Sequence, residues 1–273
     1  MRLAFYTYSY TDRLDMPVVA TLERIKQAGY DGIDVSGTHG NSADPKSFTP
    51  ERRKLTRETC RRLGLSVEAV ITHAELTTSL FSAAPLDLKG TVDLAVDVGA
   101  PVVTFHMGGP ADDKEKRQEA WRRVVEYLKD ALEYAAAKRV YLASDGIWPT
   151  WIVDTPESFL QLVDEVGSPY LGVNFDPCYL TLMGLDPVAV ARTWRAAIVH
   201  AHLKDHVGMY PKWEHRIPGQ GEMDYDRVVR GLKEIDFKRA ISIETFTNML
   251  LEEACDVGYR TLATAMRAAG VRS

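Results

Sequence analysis

The stretch that decides the fold runs from residue 170 to residue 203 and reads YLGVNFDPCYLTLMGLDPVAVARTWRAAIVHAHL. Its two ends, YLGVNF and IVHAHL, are short apolar runs without clean alternation, a pattern typical of strands buried on both faces. Between them, Asp186 and Pro187 form a helix-start signature ahead of VAVARTW. The stretch therefore predicts a strand, a helix and a second strand, the unit from which parallel sheets are built.

The same unit recurs along the whole chain. Further strand-like runs are LAFYTY (3–8), GIDV (32–35), LSVEAVI (65–71), PVVTFH (101–106), VYLAS (140–144) and AISIE (240–244). Amphipathic stretches lie between them, including 17–28 and 112–138, and a last helix is expected to start near Asn248. Eight strands alternating with eight helices predict an α/β fold, a (β/α)₈ TIM barrel that forms a single domain over residues 1–273.

An open doubly wound sheet would produce the same alternation of strands and helices. The segment after the first strand, YTYSYTDRLDMP, lacks the glycine fingerprint that a dinucleotide site of that fold requires. The closed barrel is therefore the favoured arrangement.

Composition limits the expected partners and compartment. The net charge is −5, and no block of lysine and arginine is present, so we expect no nucleic-acid partner. No run approaches the roughly 20 apolar residues needed to cross a bilayer, so we expect no membrane partner. The three cysteines are widely spaced, and the first residues lack the apolar run of a signal peptide. These features predict free thiols and a cytoplasmic location.

Four residues with metal-ligand chemistry stand at the ends of successive predicted strands. Asp145, Asp176, His202 and Glu244 are separated by 31, 26 and 42 residues. The strand C-termini of a barrel open on one face, so these residues are expected to converge there. Oxygen and nitrogen ligands suit a hard or borderline divalent ion. Burying an unpaired carboxylate at the end of an apolar strand is costly. We therefore favour a ligand or acid/base role for Glu244, with a salt bridge to a nearby lysine or arginine as the alternative.

Other roles remain open for some of these residues. Asp176 also suits a helix N-cap before proline, and Asp145 with Gly146 forms a turn dipeptide. His200 and His202 share one face of their strand. His202 is nearer the mouth and is the predicted ligand, whereas His200 is interpreted as a structural core histidine.

Further candidates lie at or beyond the strand ends. His73 and His106 are predicted substrate contacts, with capping of a strand end as the alternative. Aromatic residues in the same segments suit the apolar faces of a carbohydrate ring, with lid packing as the alternative. They are Trp148, Trp151, Tyr179, Tyr210 and Trp213. We interpret residues 205–221 as a loop whose IPGQG segment acts as a lid.

Five segments carry a resemblance to a known family: GYDGIDV (29–35), LGVNFDPCYL (171–180), HAHLKDH (200–206), IPGQGEMDY (217–225) and AISIETF (240–246). On these segments the chain resembles the xylose isomerase-like barrel superfamily of sugar isomerases and epimerases, which also contains the apurinic endonuclease IV branch. The resemblance implies one divalent ion held by Asp145, Asp176, His202 and Glu244. Mn²⁺ is the expected ion, with Co²⁺, Mg²⁺ and Zn²⁺ as alternatives. It also implies a homo-oligomer, either a dimer or a tetramer.

Two departures from the family pattern stand out. The ligand on the fifth strand is usually glutamate, whereas Asp145 is one methylene shorter. The histidine often found three residues after the aspartate of the sixth strand is replaced by Tyr179. The second departure speaks against the endonuclease branch, which needs additional histidines for a multinuclear site.

The activity implied by the resemblance is metal-dependent isomerisation or epimerisation of a sugar or keto-polyol. A proton is removed next to a carbonyl, and the reaction passes through an enediolate. Glu244 is the expected general base, and Asp145 is its partner on the other face of the substrate. Contacts to substrate oxygens are assigned to His73, His106, Lys204 and Arg216. A small-molecule carbohydrate is therefore the expected partner.

Two alternatives use the same site. The first is a metal-dependent lyase or dehydratase acting on a keto-inositol, a keto-sugar or a 3-keto-glycoside, which adds loss of a leaving group to the same proton abstraction. The second is a catalytically inactive, metal-binding barrel subunit, supported only by the short side chain of Asp145.

Overall fold

The computed structural model describes residues 1–7, 18–37, 48–80, 86–109, 114–245 and 251–271. The strands within them, in chain order, are β1 (Arg2–Tyr6), β2 (Gly32–Ser36), β3 (Ser66–Glu75), β4 (Val102–His106), β5 (Tyr141–Ser144), β6 (Leu171–Phe175), β7 (Ile198–Leu203), β8 (Asp205–Met209), β9 (Lys212–Arg216) and β10 (Ala240–Ile243). Eight of these strands are parallel neighbours in the ring β1-β10-β7-β6-β5-β4-β3-β2. Pairing of β1 with β10 closes the ring, for example at Phe5 and Ile243. The predicted (β/α)₈ barrel is confirmed.

Helices follow the barrel strands and cover the outside of the ring. They are α1 (Val18–Ala28), α2 (Pro50–Leu63), α3 (Leu76–Leu80), α4 (Leu88–Val98), α5 (Lys114–Ala137), α6 (Pro156–Val166), α7 (Pro177–Leu182), α8 (Pro187–Trp194), α9 (Tyr225–Glu234) and α10 (Leu251–Ala268). Asp186 caps α8, as its helix-start signature predicts, and Thr155 caps α6 with a capping box.

Two apolar clusters explain why the strands read as continuous hydrophobic runs. Inside the ring, Tyr6, Ile71, Val102 and Val199 belong to a small buried cluster. The larger cluster includes the outward faces of the strands and the buried faces of the helices. Strand residues are therefore apolar on both faces, as parallel barrels require.

Residues 205–216 differ from the predicted loop. They form an antiparallel hairpin, β8–β9, which is separate from the barrel sheet. Its sequences, DHVGM and KWEHR, are polar and half exposed, so they lack the apolar signal of the barrel strands. The predicted strand residue Tyr8 and the predicted helix start Asn248 lie outside the described residues.

Within the described ranges, no helix combines the length and apolar character that crossing a bilayer requires.

Candidate active site

Seven of the eight predicted site residues are linked by contacts at the C-terminal ends of the barrel strands. Direct contacts at 4 Å or less, together with one contact between imidazole rings, connect them. They are His73, His106, Asp145, Asp176, His202, Lys204 and Glu244. Because they lie in the last residues of β3, β4 and β7 or directly after β5, β6, β7 and β10, the barrel register brings together residues that are far apart in the sequence.

Lys204 lies between two of the predicted ligand carboxylates. Its Nζ is 2.7 Å from Asp176 Oδ2 and 2.6 Å from Glu244 Oε2. The same ammonium lies 3.9 Å from the ring centroid of Tyr179. Lys204 is 2% exposed, so its charge is neutralised inside the protein. A residue predicted to touch substrate therefore also holds the two carboxylates together.

The two oxygens of Glu244 face different neighbours. Oε2 contacts Lys204 and lies 3.5 Å from His202 Nδ1. Oε1 lies 3.5 Å from His73 Nε2, and that imidazole is 24% exposed. One oxygen is therefore directed toward the buried charge cluster and the other toward the open rim.

Asp145 is held at both of its oxygens. Asn174 Nδ2 donates to Oδ1 at 2.7 Å, and His106 Nε2 lies 2.9 Å from Oδ2. The rings of His106 and His73 are 5.3 Å apart, and that of His106 also contacts Trp151 at 5.3 Å. Two carboxylate–imidazole pairs, Glu244 with His73 and Asp145 with His106, thus stand side by side at the mouth.

His202 and His200 occupy the depths that their positions on β7 predict. His202 Nε2 lies 3.0 Å from Asp34 Oδ2, and its ring stacks on Tyr6. His200 is deeper and contacts Asp34 Oδ1 at 3.2 Å and Asn174 Oδ1 at 2.8 Å. Asp34 therefore orients the predicted ligand imidazole through the ring nitrogen that faces away from Glu244.

Burial and neighbouring charges shift the ionisation of these groups. Burial alone would raise the pKa of Glu244, but Lys204 and the imidazoles of His202 and His73 hold it well below its usual value. Burial would lower the pKa of His202, yet the hydrogen bonds to Asp34 and Glu244 raise it to about 10. Burial opposes ionisation of Asp145, but His106 keeps the pKa of that carboxyl below its usual value. Both acid/base candidates are therefore ionised at neutral pH.

The charges around Lys204 test whether these residues fit a divalent ion. Asp176 Oδ2 and Glu244 Oε2 already converge on one cationic atom, and His202 Nδ1 lies beside that position. Two carboxylates and an imidazole are suitable ligands for a borderline divalent ion. The donor set fits, provided that the ammonium of Lys204 gives up the position.

A second group of ligand atoms lies directly beneath. Asp34, His200 and His202 offer one atom each within 4.8 Å of one another, and all three residues are buried. The contacts within this group are hydrogen-bond distances of 3.0 and 3.2 Å. His202 belongs to both groups, through Nδ1 to the upper one and through Nε2 to the lower one. An ion bound in either group would therefore have His202 as a ligand.

Asp176 has the N-cap role that its sequence context allowed, and it also contacts Lys204. Its Oδ1 accepts hydrogen bonds from the backbone N–H groups of Cys178 and Tyr179 and so caps α7. Its Oδ2 is directed to Lys204. The cap fixes the side chain while leaving one oxygen for a cation.

Aromatic side chains form a wall beside this cluster. The ring of Trp148 lies 5.1 Å from Tyr179, 5.5 Å from Tyr210 and 5.3 Å from Trp213. Tyr210 and Trp213 come from the β8–β9 hairpin, and Tyr179 covers the Lys204 ammonium. The hairpin therefore supplies side chains to the mouth rather than to the barrel sheet.

Asp205 fixes the segment that follows the hairpin. Its Oδ1 accepts from the backbone N–H groups of His206 and Met223, and its Oδ2 accepts from those of Gly219 and Gly221. The carboxylate is fully buried. The predicted lid segment IPGQG is thus anchored to the start of β8.

Arg216 stands apart from the other predicted residues. It ends β9, and its guanidinium forms an ion pair with Glu214 at 2.6 Å. Asn174 and the orienting role of Asp34 were not predicted from the sequence. The available signal was a carboxylate inside GIDVS and an amide inside LGVNF, two strands that are otherwise largely apolar.

Comparison with known proteins agrees with this architecture. The family model described as xylose isomerase-like TIM barrel matches residues 22–262. This chain belongs to the xylose isomerase-like TIM barrel family. Both the fold and the predicted resemblance are therefore confirmed.

Relatives within the family have different activities. The chain is 34% identical to the protein MJ1311 of Methanocaldococcus jannaschii over 83% of this chain and 78% of that protein. It is 24% identical to an inosose isomerase of Halalkalibacterium halodurans, covering 84% and 83%. It is 21% identical to a 3-dehydroshikimate dehydratase of Bacillus anthracis, covering 76% and 79%. The chain spans only 49% and 58% of the length of two further relatives, YfiH and y4fM.

Solved structures of the family superpose over nearly the whole chain. A D-psicose 3-epimerase in the presence of D-fructose matches with a TM-score of 0.79 and 14% identity, covering 99% of this chain and 100% of that one. The IolI protein with a bound zinc atom matches with a TM-score of 0.76 and 19% identity, covering 99% and 98%. At these identities the structures show a shared fold.

Proposed function

We propose that this chain catalyses the isomerisation or epimerisation of a sugar or keto-polyol by moving a proton on the carbon next to a carbonyl. The observation that carries the proposal is the pairing of Glu244 with His73 and of Asp145 with His106 at one mouth. Two ionised carboxylates, each with an imidazole beside it, provide the acid/base groups for proton removal and return. The inosose isomerase and epimerase relatives support the same reaction class.

Glu244 acts first in this proposal. Its Oε1 faces the rim and His73, so this oxygen accepts the proton from the substrate carbon. The electron pair released from the C–H bond moves onto the carbonyl oxygen and gives an enediolate. In an isomerisation, Glu244 returns this proton to the neighbouring carbon. In an epimerisation, Glu244 releases its proton to solvent, and Asp145, which is ionised at rest, takes up a solvent proton and delivers it to the opposite face. His73 and His106, which stand beside these carboxylates, are the proposed hydrogen-bond donors to substrate oxygens.

The proposed metal ligands are Asp176, His202 and Glu244, with Asp145 as the fourth. When bound there, a divalent ion would polarise the carbonyl and stabilise negative charge on its oxygen. Mn²⁺ is the proposed ion, with Co²⁺, Mg²⁺ and Zn²⁺ as alternatives, and the zinc-bearing IolI structure supports a divalent ion in this fold. Lys204, once released from the carboxylates, is available to bind a substrate oxygen.

The aromatic wall supports a carbohydrate substrate. Trp148, Tyr179 and Trp213 present flat apolar faces beside the polar cluster, and such faces complement the C–H faces of a sugar or inositol ring. Arg216 stays a proposed substrate contact on the hairpin. We also propose a homo-oligomer, a cytoplasmic location and no nucleic-acid partner, as the sequence predicts.

Proton exchange with solvent tests the proposed function. The protein, loaded with Mn²⁺ in D₂O, is incubated with epimeric ketoses, beginning with D-fructose and D-psicose, and with inososes. We expect deuterium at the carbon next to the carbonyl without loss of a leaving group. Glu244→Gln should reduce exchange at least about 1000-fold, since it removes the base. Glu234→Gln, on an exposed residue of α9, should exchange like the parent. Exchange in Glu244→Gln at the parent rate would contradict the proposal.

A lyase is the second candidate, favoured by the 3-dehydroshikimate dehydratase relative and by the short Asp145. The same incubation distinguishes it from the isomerase, because an unsaturated product appears when a leaving group is expelled. A chain that binds Mn²⁺ but neither exchanges deuterium nor forms such a product would instead be the inactive barrel subunit.

A further inference from the structure

A chain of hydrogen bonds runs beneath the site and joins its two halves. Asp34 Oδ2 lies 3.0 Å from His202 Nε2, and Asp34 Oδ1 lies 3.2 Å from His200 Nε2. His200 Nδ1 lies 2.8 Å from Asn174 Oδ1, and Asn174 Nδ2 donates to Asp145 Oδ1 at 2.7 Å. All five residues are at most 5% exposed. The chain therefore passes from the predicted ligand His202 to the predicted acid/base group Asp145 through the interior of the barrel.

The direction of the Asn174 amide is set by its neighbours. Its NH₂ group must face the carboxylate of Asp145, because a carboxylate only accepts hydrogen bonds. Its carbonyl oxygen therefore faces His200 Nδ1, which must carry a hydrogen to donate. By donating to the carbonyl oxygen of Asn174, His200 keeps the NH₂ group of that amide directed at Asp145.

A register shift between Val173 and Asn174 brings this amide to its position. The pairing of β6 with β7 slips at that step, so that Asn174 lies opposite His200. Such irregularities re-aim a side chain and are frequent next to active sites. In an otherwise apolar strand, the shift directs one amide inward toward the end of β5.

We propose that Asn174 and His200 are positioning residues that hold Asp145 in the orientation needed for proton transfer. The inference rests on the proposed function. Asp145 is one methylene shorter than the glutamate usual in the family, so its reach depends on how its carboxylate is held. Asn174 holds Oδ1 and His106 holds Oδ2. Asn174 contacts Asp145 directly, whereas it is linked to Glu244 only through His200, Asp34 and His202.

This separation predicts an asymmetric effect on an epimerase. One epimer presents its proton to Glu244 and the other presents its proton to Asp145. Loss of the Asn174–Asp145 hydrogen bond should therefore slow exchange from one epimer and spare the other. A displacement of about 1 Å costs about 100-fold in rate. We therefore expect kcat for deuterium exchange from the affected epimer to fall about 10- to 100-fold, with KM for that exchange unchanged.

Three variants test the inference through deuterium exchange measured separately from each epimer. The pair is D-fructose and D-psicose, or the pair that the Mn²⁺-loaded parent exchanges fastest. Asn174→Leu keeps the volume but removes the amide. His200→Asn places a donor where Nδ1 was, and His200→Gln places one where Nε2 was. We expect Asn174→Leu and His200→Gln to lose exchange from one epimer, and His200→Asn to retain it.

The outcomes separate the inference from the proposed function. If the parent exchanges neither epimer of any ketose or inosose tested, the proposed function fails and the inference falls with it. If the parent exchanges both epimers, but Asn174→Leu slows both equally or slows neither, only the inference fails. Equal behaviour of the two His200 variants would also overturn it, since packing alone does not distinguish the two ring nitrogens. Thermal unfolding of each variant checks that it is folded.

Discussion

At the scale of the residue, the central feature is an internal cation where a metal ligand set is expected. Lys204 is within 2.7 Å of both Asp176 and Glu244, and all three side chains are almost completely buried. Removing one partner of a buried ion pair typically costs about 3–5 kcal/mol, because the remaining charges lose their neutralisation. Lys204 is therefore expected to stabilise the fold when no ion occupies the site.

We predict that Lys204→Met lowers the free energy of unfolding by about 3–5 kcal/mol in the presence of EDTA. Addition of Mn²⁺ should restore much of this loss, because a divalent ion can neutralise the same two carboxylates. Chemical denaturation with and without Mn²⁺ measures both effects. The control is Lys238→Met, which breaks an exposed ion pair with Asp236 and should change stability by less than about 1 kcal/mol. Equal effects of the two variants would contradict the prediction.

At the scale of the element, Asp205 determines how the mouth segments are held. One carboxylate accepts hydrogen bonds from four backbone N–H groups, two on each oxygen. One donor is His206 in β8, and the other three lie in the segment after the hairpin. Gly221 lies so close that a Cβ there would stand 2.3 Å from Asp205 Oδ1. The anchoring therefore requires both a carboxylate at 205 and a glycine at 221.

We predict that Asp205→Asn lowers the free energy of unfolding by about 3 kcal/mol, since two charge-assisted hydrogen bonds are lost and an NH₂ group faces two donors. Hydrogen exchange should increase in residues 217–223 before it increases in the barrel strands. Asp224→Asn is the matched control, because asparagine caps a helix as well as aspartate does. Unchanged protection of 217–223 in Asp205→Asn would show that the anchor does not hold this segment.

The elements also show what the sequence could predict and what it could not. The strand ends were predictable because a parallel barrel brings its strand C-termini together whatever the individual contacts. This placed Asp176, His202 and Glu244 in one cluster from their positions alone. The inward position of Asn174 was not predictable, because it depends on the register shift after Val173. The hairpin was missed because its polar strands pair with each other and carry no core-facing pattern.

At the scale of the whole molecule, the buried charges make stability depend on pH. The pKa of His202 is raised to about 10 from an ordinary value of 6.5. Its stabilising effect is therefore complete below pH 6.5 and is lost progressively as pH rises toward 10. Cys60 limits the pH range in which this effect can be measured alone. Burial raises the pKa of its thiol to about 12, whereas the free thiol of the unfolded chain ionises near pH 9. Above that pH, ionisation of the thiol stabilises the unfolded chain.

We predict that the free energy of unfolding in EDTA falls between pH 6.5 and 8.5 by up to about 1.4 kcal/mol per pH unit, the limit for one proton. His202→Asn should remove this slope. His215→Asn should leave it unchanged, because burial lowers the pKa of His215 to about 4 and its effect on stability appears only below pH 6.5. Denaturant titrations at several pH values provide the measurement. A slope that persists in His202→Asn would assign the effect to another group.

The β8–β9 hairpin has a consequence for engineering this barrel. It places Tyr210 and Trp213 at the mouth while sharing no backbone pairing with the ring, and Asp205 fastens its first residue to the segment that follows. Residues 206–216 therefore form a cassette with fixed ends. This cassette could be exchanged for the corresponding segment of another family member. Such an exchange is a route to a new substrate range that does not alter the pairing of the barrel strands.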